Sequence, residues 1–153
     1  MYPVTFLVFG RPRLAGVQAL ESHYRDLLRS HARLDLTELA ESRVKDPAAQ
    51  LRDESERIRP KLRGVPSPVL LDAAGRAYSS EGFAAWLRPR TDRGDRLAFV
   101  LGSSHGLDAA LKAECPEWMS LSPMTFPHDL ARVLFLEQLY RAFTILKGGP
   151  YHK

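Results

Sequence analysis

The sequence predicts an α/β domain with a mostly parallel sheet, for three reasons. Short β-prone apolar runs alternate along the chain with segments of helical periodicity. The apolar runs at 4–9 and 97–101 do not alternate with polar residues, which is typical of parallel strands covered on both faces. The chain has 153 residues, of which 44% are hydrophobic, so one domain spanning 1–153 can bury a sizeable core without disulfides or metal ions.

The first strand–helix unit is predicted at the start of the chain. The run at 4–9 ends at Gly10, and we expect it to be a central parallel strand. After a short loop, apolar residues recur near helical spacing to about Ser30, which predicts a core-facing helix carrying Leu14, Val17, Leu20, Tyr24, Leu27 and Leu28. Leu34 and Leu36 indicate a second strand.

Two further helices can be placed by their start signals. Asp46 and Pro47 form an N-cap and a first-turn proline, and they predict a polar, largely exposed helix that carries Leu51, Ile58 and Leu62. The run at 69–71 predicts a third strand, and residues 72–75 predict its turn. Ser79 or Ser80 is the expected N-cap of a helix with Phe83, Trp86 and Leu87.

The last third of the chain predicts two strands and a long helix. Residues 97–101 predict a buried strand that runs into the glycine-containing turn 102–106 and a short helix from about Leu107. A last strand is indicated at 118–121. After a proline-rich loop, a long helix is expected from about Pro127 to Leu146.

Composition and charge restrict the classes of function. The formal net charge is +4 and the sequence pI is about 9.5, a balance that favours a polyanionic partner such as nucleic acid. Cys115 is the single cysteine and no Cys/His cluster has metal-ligand spacing, so we expect a cytoplasmic protein without a metal. The chain start lacks the pattern of a signal peptide, and no apolar stretch approaches the roughly 20 residues of a membrane helix, so we expect no membrane association.

The long final helix is apolar on nearly all sides, and its apolar residues cannot all face one sheet. One face must therefore meet another surface. We expect this surface to be the same helix of a second copy, in an isologous homodimer. A helix threaded through the centre of the domain is the alternative.

Three segments are candidates for chemistry. The turn at 102–106 can bring backbone N–H groups against a ligand, although a plain strand-to-helix turn has the same pattern. The two prolines in 121–128 hold an extended loop suited to an adenine or methionine moiety, or alternatively a rigid connection with Met124 and Phe126 buried. Residues 151–153 can stack on a base, move a proton and hold a phosphate, or they form a frayed terminus.

Five blocks of sequence, together with the spacing between them, resemble one family: FVLG at 99–102, LSPMTFPH at 121–128, RVL at 132–134, EQLYRA at 137–142 and PYHK at 150–153. The chain is similar along its whole length, from Val4 to Lys153, to the small SPOUT-class RNA methyltransferases known as the RlmH family. The resemblance implies methylation of N3 of a pseudouridine in large-subunit (23S) ribosomal RNA.

The resemblance also implies a SPOUT α/β-knot fold with a C-terminal trefoil knot, a homodimer, and S-adenosylmethionine as cofactor. By position, the residues that would hold the cofactor are Leu71, Gly102, Leu121, Ser122, Pro123, Met124, Thr125 and Phe126. We expect backbone contacts to dominate. Where the family usually has a second glycine this chain has Ser103, whose side chain would crowd the cofactor or shift the turn if the position needs a positive φ.

The residues expected to act on the target base are His152, Arg132, Tyr151 and Lys153. We expect His152 to assist deprotonation of N3, Arg132 or Lys153 to stabilise the anion, and Tyr151 to pack on the nucleobase. His128 is a weaker candidate base, because a helix N-terminus disfavours its protonated form. The expected partner is large-subunit rRNA within the assembled ribosome. The alternative is a catalytically impaired family dimer that binds RNA or the ribosome.

Overall fold

In the computed structural model, which describes residues 1–153, five strands form one parallel sheet. The strands are β1 (Tyr2–Phe9), β2 (Ala32–Leu39), β3 (Val69–Ala77), β4 (Leu97–Leu101) and β5 (Glu117–Ser120). The helices are α1 (Val17–Leu28), α2 (Pro47–Ile58), α3 (Ser80–Asp92), α4 (Ala109–Glu114) and α5 (His128–Leu146), with 3-10 turns at Arg59–Leu62 and Pro150–His152. The strand order is β2-β1-β4-β3-β5. The predicted α/β class and parallel sheet are confirmed.

The sheet separates two hydrophobic cores. Side chains alternate along β1, so Phe6 and Val8 enter the first core, and Leu7 and Phe9 enter the second. Helices α1, α3 and α5 contribute to the first core, and α2 and α4 contribute to the second. Both faces of β1 are therefore covered, which explains why its sequence is apolar without alternation.

Two helix starts are fixed by the predicted caps. The Asp46 carboxylate accepts a hydrogen bond from the backbone N–H of Ala49 at 2.8 Å, and the Ser79 hydroxyl accepts one from Gly82 at 2.9 Å. The prediction that α2 is largely exposed is wrong at its second half. Ile58 is fully buried, because α2 lies on the second face of the sheet and inserts this side chain into the second core.

The turn predicted at 72–75 is instead an irregularity within β3. Pairing with β5 runs through Leu71, breaks, and resumes at Arg76 with a shifted register. A Cβ atom on Gly75 would lie 2.6 Å from the backbone nitrogen of Met119, so only glycine allows this close approach to β5. Residues 72–75 are turn-forming types, and they mark where the pairing of β3 with β5 stops. The sequence could not predict that pairing resumes at Arg76, because β5 lies more than forty positions later in the chain.

Helix α5 packs against both α1 and α3 on the first face of the sheet. Its buried residues surround most of the helix: Ala131, Arg132, Val133, Phe135, Leu136, Leu139, Ala142, Phe143 and Thr144. Most of the apolar surface of α5 is therefore covered within the monomer, as expected for the alternative of a helix threaded through the centre of the domain. Leu130 and Leu134 remain 40% and 37% exposed.

None of the helices combines the length and apolarity needed to cross a bilayer.

Candidate active site at the carboxyl edge of the sheet

Strands β4, β3 and β5 are neighbours and parallel, so their carboxyl ends meet at one edge of the sheet. Ligands of open α/β sheets bind outside this edge. Three cavities of about 330, 140 and 510 Å³ lie there. They adjoin one another, because Leu121 and Phe126 line the first and second cavities, and Leu101, Thr125, Phe126 and Ala131 line the second and third. We call these three cavities the carboxyl-edge cleft.

The structure brings together seven of the eight residues predicted to hold the cofactor. Six of them line the second cavity: Leu71, Leu121, Ser122, Met124, Thr125 and Phe126. Gly102 lines the third cavity, and Pro123 lines none of the three. These residues come from strand β3 and from the segments that follow β4 and β5, and they meet because the three strands are adjacent.

The loop at 121–126 keeps most of its backbone polar groups free. None of the backbone hydrogen bonds made by loops and turns involves these residues. Within the loop, the Ser122 hydroxyl accepts a hydrogen bond from the backbone N–H of Met124, and the Ser120 hydroxyl donates to the Ser122 carbonyl, both at 3.0 Å. Met124 is 75% exposed, so the alternative of a connection with this side chain buried is wrong. The loop therefore offers unpaired donors and acceptors to a ligand.

The turn at 102–106 is tightly folded. A Cβ atom on Gly102 would lie 2.4 Å from the Gly106 carbonyl oxygen, and the Gly106 N–H donates to the Ser103 carbonyl at 2.8 Å. The positive φ that closes the turn, 84°, falls on Gly106, and no residue other than glycine has a positive φ. The expected backbone conflict at Ser103 is therefore absent. Its hydroxyl instead donates to Glu54 Oε2 at 2.7 Å, within the protein.

The first turn of α5 is attached to the loop that follows β1. The Asp129 carboxylate accepts hydrogen bonds from the backbone N–H groups of Arg13 and Leu14, at 2.6 and 2.7 Å. Burial would raise the pKa of Asp129, but these donors and neighbouring His128 hold it below its ordinary value. The pKa of His128 is also lowered, first by burial and then by the charge of Arg132, so the His128 imidazole is neutral near pH 7.

Lowering the pH below about 6.5 is expected to destabilise the protein through His31 and His128. In the folded protein the pKa of each imidazole lies below 6.5, the ordinary value for histidine. For His31 the causes are burial and then the charge of Lys147. As the pH falls, the two histidines become protonated in the unfolded chain before they do in the folded protein. Their contribution to the free energy of unfolding is therefore complete above pH 6.5 and decreases as the pH drops towards the folded pKa values. Melting temperatures measured between pH 8 and 5 should decrease accordingly. The double variant His31→Gln/His128→Gln should have a flatter profile, and an equally steep one would contradict this assignment.

Arg132, one of the predicted catalytic residues, lies beneath the cleft and has no exposed surface. Its Nε donates to Glu21 Oε2 at 2.6 Å, and its two terminal nitrogens donate to the Gly10 carbonyl at 3.0 Å and to Glu38 Oε1 at 3.2 Å. The guanidinium thus joins α5 to α1, β2 and the end of β1. Of Arg132 and its neighbour Ala131, only Ala131 lines the cleft.

The terminal residues are folded against α5 and do not form the frayed end that the sequence left open. The Tyr151 hydroxyl donates to Glu137 Oε1 at 3.2 Å, and its ring meets that of Tyr140 edge-on at 4.7 Å. Burial raises the pKa of Tyr151, which keeps its phenol neutral. His152 Nδ1 lies 2.9 Å from the Gly149 carbonyl, and Lys153 is exposed. None of these three side chains lines the cleft of its own chain.

Much of the first cavity consists of residues that the sequence did not single out. They lie on α3, on α5 and in the short connection between β3 and α3: Tyr78, Ser79, Ser80, Phe83, Leu134, Phe135 and Gln138. The Ser80 hydroxyl donates to Gln138 Oε1 at 2.7 Å and so connects α3 to α5 across the cavity wall. These residues form ordinary caps and core positions in the sequence, and no local signal distinguishes them.

Comparison with known sequences gives a consistent result over the whole chain. The family model described as "Predicted SPOUT methyltransferase" matches residues 3–152. The ribosomal RNA large subunit methyltransferase H of Gloeobacter violaceus is 38% identical over 149 residues, which are 97% of each protein. The protein of the same name from Gemmatimonas aurantiaca is 37% identical over 152 residues, covering 98% of this chain and 99% of that protein.

Solved structures show a related fold at low sequence identity. A methylase family protein from Haemophilus influenzae Rd KW20 superposes with a TM-score of 0.57 at 11% identity, covering 96% of this chain and 68% of that one. A methylase family protein from Neisseria gonorrhoeae has a TM-score of 0.54 at 12% identity, covering 91% and 82%. At such identities the likeness shows the fold alone.

Proposed function

The chain belongs to the RlmH family of SPOUT methyltransferases, and from this membership we propose that it transfers a methyl group from S-adenosylmethionine to N3 of a pseudouridine in 23S ribosomal RNA. It would act in the cytoplasm, on the assembled ribosome, as a single domain. The observation that carries the proposal is the carboxyl-edge cleft, where seven of the eight residues that family resemblance assigns to the cofactor lie together.

The residues present suit this cofactor. Leu71, Leu101 and Phe126 supply apolar walls, and the loop at 121–126 supplies backbone groups that have no partner in other loops or turns. Such a combination suits an adenine ring, which needs apolar faces and a few donors and acceptors at its edge. The bound cofactor would supply an activated methyl group on a sulfonium. The protein's own task is then to align the target nitrogen and to remove its proton.

We propose that the active enzyme is a homodimer with a trefoil knot around the cleft. The exposed side chains of Leu130 and Leu134 extend an apolar surface along α5 beside the first cavity. Antiparallel packing of two α5 helices would cover these side chains and would bring the tail of one copy towards the cleft of the other. This arrangement would bring the tail residues 151–153 of one copy close to the predicted cofactor-binding residues of the other copy. Within one chain the two sets lie apart.

The proposed roles follow from what each side chain can offer. His152 would accept the proton of N3, because imidazole is the side chain that most often acts as a general base in enzymes. Tyr151 would pack on the nucleobase, since its raised pKa makes it unsuited to act as a base. Arg132 has no exposed surface, so we assign stabilisation of the anion to Lys153. The alternative of an impaired RNA-binding dimer is motivated by Ser103 and the altered turn, and the absence of a positive φ at Ser103 removes one reason for it.

A strain that lacks the gene tests this function directly. Mass spectrometry of its 23S rRNA should show one methyl group missing from a pseudouridine, and expression of the intact chain should restore the methyl group. Calorimetry with the purified protein should show binding of S-adenosylmethionine. Unchanged rRNA in the deletion strain would reject the proposed substrate, and no binding at millimolar cofactor would favour the non-catalytic alternative.

A further inference from the structure

We propose that Ser103 and Glu54 form a positioning pair that holds the turn at 102–106 in the shape that binds the cofactor. The inference rests on the proposed function, because it concerns the cleft assigned to S-adenosylmethionine. Neither residue is part of the site that family resemblance assigns. Ser103 follows β4, whereas Glu54 lies on α2, in the helical layer on the second face of the sheet.

The two side chains meet inside the protein. Ser103 Oγ lies 2.7 Å from Glu54 Oε2, and the residues are only 7% and 2% exposed. The other carboxylate oxygen accepts hydrogen bonds from the backbone N–H of Ser42 at 3.1 Å and from Gln50 Nε2 at 3.3 Å. No arginine, lysine or histidine forms an ion pair with Glu54.

A buried carboxyl group without a cation depends on its hydrogen-bond partners, because a buried polar atom that loses its partner costs free energy. Glu54 accepts hydrogen bonds from three neutral donors, and the hydrogen bond from the Ser103 hydroxyl is the shortest of the three. Removing that hydroxyl leaves one oxygen of Glu54 without a partner. The pair therefore resists any movement of Ser103 away from α2.

The turn transmits this restraint to the cleft. The bond to Glu54 is the one side-chain hydrogen bond that residues 102–106 make. The backbone is already closed by the Gly106 N–H on the Ser103 carbonyl and by the close contact of Gly102 with Gly106. Gly102 and Ser103 both line the third cavity, so a shift of Ser103 moves two residues of the cavity wall. At position 103, where the family usually has glycine, the serine of this chain thus attaches the turn to α2 by a hydrogen bond to Glu54.

The test compares Ser103→Ala with Ser67→Ala, a matched control. Ser67 Oγ donates to Glu117 Oε1 at 2.8 Å, so both variants lose a serine-to-glutamate hydrogen bond, but Ser67 precedes β3 at the opposite edge of the sheet. Calorimetry with S-adenosylmethionine should give a Kd about 10-fold higher for Ser103→Ala and unchanged for Ser67→Ala. Ser103→Thr keeps a hydroxyl and should bind within about threefold of the unmodified protein.

Steady-state kinetics distinguish positioning from a loss of folded protein. Ser103→Ala should raise KM for the cofactor and leave kcat nearly unchanged, whereas partial unfolding would lower kcat and spare KM. If Ser103→Ala does not fold, Glu54→Gln, which keeps the shape and weakens the bond, should raise Kd in the same direction.

Unaltered binding by these variants, or an equal loss in Ser67→Ala, would overturn the inference. If the unmodified protein does not bind S-adenosylmethionine, the proposed function itself fails, and the inference fails with it. The first measurement, on the unmodified protein, separates the two failures.

Discussion

Arg132→Met is expected to destabilise the protein by about 3–5 kcal/mol, because it leaves the buried carboxylate of Glu21 without its charged partner. Glu21 is 6% exposed and Arg132 is fully buried, so water cannot replace the missing guanidinium. The variant also removes the bonds to the Gly10 carbonyl and to Glu38. Urea unfolding followed by circular dichroism measures the change.

A matched control and a rescue make the result specific. Arg93→Met removes the Arg93–Asp95 ion pair, in which the arginine is 60% exposed, and should change stability by less than about 1 kcal/mol. The double variant Glu21→Leu/Arg132→Met removes both buried charges and should recover much of the loss. A single Arg132→Met variant as stable as the unmodified protein would show that the network does not stabilise the fold.

His152→Ala is expected to reduce methyl transfer to ribosomes by about 10²–10⁴-fold, the usual effect of removing a general base. The Kd for S-adenosylmethionine should stay the same, because the proposed contact of His152 is with the target base and not with the cofactor. His23→Ala, a change of an exposed histidine on α1, is the matched control and should retain activity. Methyl transfer that survives in His152→Ala would reject the role of this residue.

Mixed dimers test whether the tail acts on the cleft of the partner. His152→Ala chains can be co-expressed with Gly102→Val chains, whose turn is disrupted because a side chain there meets the Gly106 carbonyl. If the tail acts across the dimer, one cleft of each mixed dimer has an intact turn and an intact tail, and activity should return. If the tail acts on its own chain, the mixture should remain inactive.

The parts of the fold that the sequence predicts are those governed by local chemistry. Asp46 and Ser79 cap helices because their oxygens reach N–H groups three residues later, which a sequence pattern can show. The i,i+4 spacing of Glu137 and Arg141 predicts their ion pair, which forms at 2.6 Å. The convergence of 69–71, 97–101 and 118–121 follows from parallel order, which places their carboxyl ends at one edge.

The parts that could not be predicted depend on residues far apart in the chain. Arg132 and Glu21 are 111 positions apart, and Ser103 and Glu54 are 49 apart. No spacing rule connects either pair, because their meeting depends on how helices pack on the sheet. The contact of Ser80 with Gln138 in the first cavity has the same origin, since 58 positions separate them.

The bonds of Asp129 and Arg132 to the start of the chain have a consequence for synthesis. Asp129 holds backbone groups 115 and 116 positions earlier, and Ala131 and Leu134 on the same helix are walls of the cleft. A polypeptide in which helix α5 has not yet been synthesised therefore lacks a complete carboxyl-edge cleft, whatever its earlier segments have folded into. The cleft of a newly made molecule is therefore complete only after helix α5 has emerged from the ribosome that produced it.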